Sequence, residues 1–146
     1  MHQETFKALV VDLKDGKPTA SLQELPKESL PPGEVLVSVA YSSLNYKDGL
    51  EVTGEGKILS RYPMVPGIDL AGIVEESDSP AFKPGDPVIL NGWGIGERFW
   101  GGYAQLARVK ADWLTPLPKG LSLKQAMGIG TAGLTSMLCV IALEAH

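Results

Sequence analysis

The chain is poor in cysteine, in clustered charge and in aromatic side chains, and the first two shortages close off whole classes of protein. Cys139 is its only cysteine. A single thiol cannot form an intramolecular disulfide, so the chain does not read as a disulfide-stapled secreted domain. Cys139 lies in an apolar run and is expected to be a buried core thiol. No block of like charge is longer than two residues, and the net charge is −4. A nucleic-acid surface needs clustered Lys and Arg to displace counterions, so that partner is not expected. The opening residues Met1-His2-Gln3-Glu4-Thr5 hold neither a basic region nor an apolar signal core. The expected location is therefore the cytoplasm.

Glycine and proline, in contrast, are plentiful. Gly 17 and Pro 11 accompany short apolar runs, which favours a turn-rich β domain over a helix bundle. Hydrophobic residues at 44% and charged residues at 21% are ordinary for a soluble globular chain. Phe6 to Asp12 reads as a first strand, Asp15-Gly16 as a tight turn, and Thr19 to Leu25 as the returning strand. Val35 to Ser43 is the longest strand candidate, β-branched and alternating in its first half. Further strands are expected over 68–75, 88–90, 102–109 and 113–117. Their spacing suits a barrel or a sandwich.

Two stretches interrupt this pattern with chemistry. Ser42-Ser43-Leu44-Asn45-Tyr46-Lys47-Asp48 places polar side chains at a strand-to-helix corner, with Asn45 able to cap a short helix over 45–50. Val65-Pro66-Gly67-Ile68-Asp69 is a Pro-Gly turn feeding an apolar strand that carries one acid. A buried Asp must be paired or hydrogen-bonded, so Asp69 is expected to fix the Asn45–Asp48 corner. Lys47 reads as a solvated charge, and Asp48 as a local cap or pair.

The end of the chain changes character again. Ser122 can cap a short helix from Leu123, and a long apolar helix is expected over 131–143. The uncharged run Ala126–Leu143 is 18 residues long, near the lower limit for a membrane span. Its glycines, its threonines and the lack of basic residues after it argue against one. A helix apolar on nearly all sides is instead expected to be buried inside a larger protein. Nothing follows it here, so the expectation is a fragment, or a homodimer or other self-association through this helix.

Four motifs fall in order: Ser43-Leu44-Asn45-Tyr46-Lys47-Asp48, Pro66-Gly67-Ile68-Asp69-Leu70-Ala71-Gly72, Trp100-Gly101-Gly102-Tyr103-Ala104 and Gly130-Thr131-Ala132-Gly133-Leu134-Thr135. In them the chain resembles the N-terminal, GroES-like catalytic domain of medium-chain dehydrogenases/reductases. Within these it is similar to the zinc-free quinone-oxidoreductase branch, and there to the acrylyl-CoA reductase (NADPH) group. The resemblance implies a mainly β fold: a GroES-like, partly open β-barrel with short helices and a long C-terminal helix. It implies a catalytic domain over 1–128 and a bridging helix over 129–146, leading to a nucleotide-binding Rossmann domain that lies outside the chain. The implied activity is NADPH-dependent reduction of the C=C of a small enoyl thioester such as acrylyl-CoA. A quinone or enone reductase on the same scaffold, or a non-catalytic barrel module for binding or oligomerisation, is the alternative.

The resemblance also assigns residues. Zinc-dependent relatives carry Cys, His, and Cys or Asp where this chain has Asn45, Ile68 and Thr131, none of which supplies a zinc ligand of useful affinity. Asn45, Tyr46, Thr131 and Thr135 are implied at the nicotinamide-ribose end of NADPH, with Tyr46 as the hydrogen-bond or proton donor. Asp48 and Asp69 are expected to support them from behind. Trp93 is expected to wall the substrate cleft from the loop Gly92-Trp93-Gly94-Ile95-Gly96. That loop does not have the spacing of a dinucleotide fingerprint and opens no helix. No metal, nucleic acid or membrane partner is expected, and the intact protein is expected to be an oxidoreductase of a small molecule.

Overall fold

Alternation decides the first hairpin. In β1 (Thr5–Lys14), Phe6, Ala8 and Val10 turn inward together with Val11, while Thr5 and Lys7 face solvent. β1 pairs antiparallel with β2 (Lys17–Pro26) through Asp15 and Gly16, both at positive φ. A computed structural model describes residues 5–145 of the chain. The leaderless N-terminal reading above and His146 fall largely outside that range.

The second sheet has five strands in the order β6-β3-β4-β5-β7: β3 (Val35–Tyr41), β4 (Asp69–Ser77), β5 (Pro87–Asn91), β6 (Leu106–Val109) and β7 (Thr115–Pro116). All its pairings are antiparallel. The first hairpin hangs on this sheet through short bridges rather than a ladder. Leu9 N–H reaches Tyr103 O at 2.8 Å, and Val11 exchanges two bonds with Met64. The result is two β layers that do not close, the mainly β architecture expected. One apolar cluster, including Val37, Leu70, Val88 and Leu90, fills the five-stranded sheet. A second, including Phe6, Val10, Leu36 and Leu106, joins the hairpin to it.

Several boundaries differ from the sequence expectation. β6 covers only the end of the strand expected over 102–109. A Cβ on Gly102 would lie 2.1 Å from the Asp69 carbonyl oxygen, so Gly102 is packed against backbone and Gly102 N–H bonds Gly67 O instead of a neighbouring strand. The strand expected over 113–117 splits into a 3-10 turn, Ala111–Trp113, and the two-residue β7. The short helix α1 (Tyr46–Thr53) runs further than expected and ends on Gly54 in the left-handed conformation.

The closing helix α2 (Leu123–Glu144) is broken once, at Gly130 (φ 52, ψ −163). That conformation belongs to glycine. The stretch before the break docks through Ala126 and Met127. Beyond it, Leu134, Met137, Leu138, Ile141 and Leu143 are exposed. Cys139 is exposed with them, which corrects the expectation of a core thiol: an apolar neighbourhood in sequence buries a side chain only if something packs over the helix. α2 is long and apolar enough to cross a membrane by length and composition.

Candidate active site

The corner is built by α1 and its cap. Asn45 sits in extended conformation before the first turn, and its backbone N–H donates to Asp48 Oδ2 at 2.7 Å. This is one half of a capping box. Asp48 Oδ1 accepts from the Ile68 N–H at 3.0 Å, so the same buried carboxyl ties the helix to the Pro-Gly turn.

Asp69, fully buried at the start of β4, is where the polar side chains converge. It receives five hydrogen bonds: from the Ser43 hydroxyl, from Asn45 Nδ2 at 3.1 Å, from Asn91 Nδ2 at 2.7 Å, and from the Thr131 N–H at 3.0 Å and hydroxyl at 2.5 Å. Burial works to raise its pKa, but the bonds from Ser43, Thr131 and Asn91 outweigh it and hold the carboxyl below its ordinary value. With about four lone-pair sites all occupied, Asp69 has no free oxygen to act as a base. It aims its donors.

The break at Gly130 serves this convergence. A Cβ there would lie 3.0 Å from Asp69 Oδ2 and 3.1 Å from Ser43 Oγ. Without it, Thr131 opens the outer segment of α2 with its amide on the carboxylate, the charge favoured at a helix N-terminus. The Thr131 hydroxyl hydrogen points at Asp69, which leaves its oxygen as an acceptor on the other side.

The structure brings Asn45, Asp48, Asp69 and Thr131 together. Tyr46 stands beside them but is 85% exposed, with no polar partner among the described residues. It lines an open cleft of about 470 Å³ with Leu44, Asn45, Gly49, Leu50, Thr53 and Glu55. Thr135 lies one turn beyond Thr131 and is exposed. Trp93 does not line that cleft. It is 58% exposed, at φ 56, and stacks on Trp113 with ring centroids 6.4 Å apart.

The loop around Trp93 is closed on itself. The amides of Ile95, Gly96, Glu97, Arg98 and Phe99 all bond carbonyls within the loop, so they are not free to cradle an anion. Lys47, expected to be a solvated charge, pairs with Glu97 of this loop at 2.7 Å. Among the described residues, no group of three His, Cys, Asp or Glu side chains is gathered to hold a metal ion.

Sequence reasoning missed Asn91, Tyr103 and Glu51. Asn91 ends an apolar strand directly opposite Asp69 in the β4–β5 register; a polar residue at that place was the available signal. Tyr103 donates its hydroxyl to Ser43 O at 3.0 Å. Burial, with the Asp48 charge added, pushes its pKa above the usual phenol range, so it stays protonated. Glu51 is 1% exposed, one turn after Asp48 on the inner side of α1. Burial first and the Asp48 charge second raise its pKa to about 8.

Comparison with known proteins bears on this arrangement. Residues 31–119 match the model of the alcohol dehydrogenase GroES-like domain. An acrylyl-CoA reductase of Ruegeria pomeroyi is 55% identical over 143 residues, covering 97% of this chain and 43% of that protein. The crystal structure of an oxidoreductase from Salmonella enterica in complex with NADP superposes with a TM-score of 0.93 at 57% identity, over 95% of this chain and 43% of that one. A Bacillus subtilis protein solved with NAD bound gives a TM-score of 0.94 at 43% identity, over 98% and 44%. The chain thus spans less than half the length of these relatives.

Proposed function

The chain belongs to the alcohol dehydrogenase GroES-like family, and from that footing we propose that its corner is one wall of the reaction cleft of an NADPH-dependent oxidoreductase. The substrate is a small enoyl thioester such as acrylyl-CoA, reduced at its C=C. Residues 1–128 form the catalytic domain, and 129–146 lead toward a nucleotide-binding domain. The observation that carries this reading is the meeting of Asn45 and Thr131 on Asp69, beside the cleft lined by Tyr46.

The side chains suit one end of a dinucleotide and not the other. Thr131 offers an acceptor oxygen, and Tyr46 and Thr135 offer exposed hydroxyls, which match the carboxamide and ribose groups of a nicotinamide nucleoside. A diphosphate finds no comparable seat in the Trp93 loop, whose amides are engaged internally. When bound, the cofactor supplies a hydride to the β carbon of the conjugated alkene.

The remaining work falls to the protein. Asp69 holds Asn45 and Thr131 in fixed orientation, so these groups need no reorganisation as charge develops. Tyr46, at the first position of α1, donates a hydrogen bond to the enolate oxygen and then a proton to the α carbon. Asn45, Ile68 and Thr131 supply no ligand set for zinc, so the oxyanion is met by hydrogen-bond donors alone. The protein works in the cytoplasm, away from membranes, and the apolar face of outer α2 is covered by protein, including a second copy.

The experiment is a steady-state assay of the full-length protein with NADPH and acrylyl-CoA, alongside a quinone acceptor. We expect turnover of the thioester, and a loss of at least about tenfold in kcat for Tyr46→Phe. Turnover indifferent to that substitution removes the donor role only. Faster reduction of quinone than of thioester moves the reading to a quinone reductase, and no turnover of either overturns it.

A further inference from the structure

α1 docks on the sheets through an acidic face: its buried residues are Asp48 and Glu51, one turn apart. The two carboxyls are served very differently. Asp48 takes the Asn45 N–H, the Asn45 amide and the Ile68 N–H. Glu51 Oε2 takes a single long contact from the Gly67 N–H at 3.4 Å, and Oε1 has no partner. Two ionised carboxyls this close in a dry site repel strongly, and an unpartnered buried oxygen is tolerated far better uncharged. The proton belongs on Glu51.

Its surroundings give that proton a role. A Cβ on Gly96 would lie 3.2 Å from Glu51 Oε2 and 3.0 Å from the Gly67 nitrogen. The Glu51 carboxyl therefore sits at a junction of three segments: α1 with Asn45 and Tyr46, the turn at Gly67, and the loop that carries Trp93. The charged and titratable groups facing it are Asp48 and Lys47 from α1, Glu97 from the loop, and Tyr103 beyond the turn. Of these only Lys47 is cationic, and it is paired with Glu97.

We infer that Glu51 is a positioning residue: un-ionised, it lets α1 pack closely against the Gly67 turn and the Trp93 loop, and once ionised its charge, buried beside Asp48 and Glu97, forces that packing to loosen. This rests on the reading of the corner as the reaction cleft, and it adds a pH limit to that site. Its ordinary role at neutral pH is to hold Tyr46 and Trp93 in one rigid arrangement. The midpoint of release is the raised value of about 8.

The test compares the full-length wild type with Glu51→Gln, which keeps shape without titrating, and Glu51→Ala, which removes the contact. Thioester reduction is followed across alkaline pH, with tryptophan fluorescence and a carboxyl NMR titration of Glu51 as structural readouts. Wild type should lose at least about fivefold in kcat through a midpoint near 8, with a fluorescence change at the same midpoint. Glu51→Gln should show neither step, and Glu51→Ala should have a lowered kcat at every pH. An alkaline fall shared by Glu51→Gln, or a Glu51 carboxyl titrating in the ordinary range, overturns the inference. Absence of turnover in every variant sinks the reaction assigned to the cleft, while the fluorescence and carboxyl titrations still decide the role of Glu51.

Discussion

Asp69 and Glu51 are both buried acids within the same corner, and they end in opposite states. Asp69 collects donors from β5, from the corner and from α2, and its carboxyl stays below its usual pKa. Glu51 collects one long contact and is raised to about 8. Burial opposes ionisation at both. The difference is the number of hydrogens aimed at each carboxyl. Depth alone is therefore a poor guide to charge, and the donor count is the quantity to read.

The largest way to break this comparison is to remove the better-served acid. Asp69→Ala leaves the Asn45, Asn91, Ser43 and Thr131 donors without their acceptor. We expect a loss of about 3–5 kcal/mol in urea unfolding, with the reductase rate lost alongside it.

The pH dependence of unfolding sharpens the contrast. Asp69 has a lowered native pKa, so its stability is fully present above the ordinary carboxylate value and is lost as pH falls from there through the lower native pKa. Glu51 has a raised native pKa. Its contribution is fully present below its ordinary value of 4.5 and is lost as pH climbs toward about 8, flattening above that. The slope over that window is up to about −1.4 kcal/mol per pH unit. Unfolding free energies of wild type relative to Glu51→Gln should fall across that window, and parallel curves would erase the distinction.

The smallest test disturbs geometry and leaves both acids in place. Gly130→Ala sets a methyl against Asp69 Oδ2 and strains a backbone at φ 52. We expect about 1–3 kcal/mol of destabilisation in the same urea assay, concentrated where Thr131 meets Asp69. A neutral substitution would mean that the break is not held by this contact.

Much of the frame was legible from residues. Asp15-Gly16 marks the hairpin because few other pairs accept positive φ in succession, and Asn45 marks the start of α1. Asp69 stands out as one acid in an apolar strand. What was hidden lay across the chain. Asn91 matters only because register sets it opposite Asp69, and no local pattern reports register. Glu51 escapes because its helix buries acid, so hydrophobic periodicity gives no sign of which face is inside. Cys139 misled for the converse reason: its neighbours are apolar, but beyond Gly130 no other part of the described chain covers them.

That same outer helix has a mechanical consequence. Its first residue grips the Asp69 carboxylate twice, while the leucines and methionine of its far turns are exposed. It is a lever with its fulcrum at the Asp69 corner. A push or pull on the far end would be transmitted through Thr131 to the carboxylate that aims Asn45.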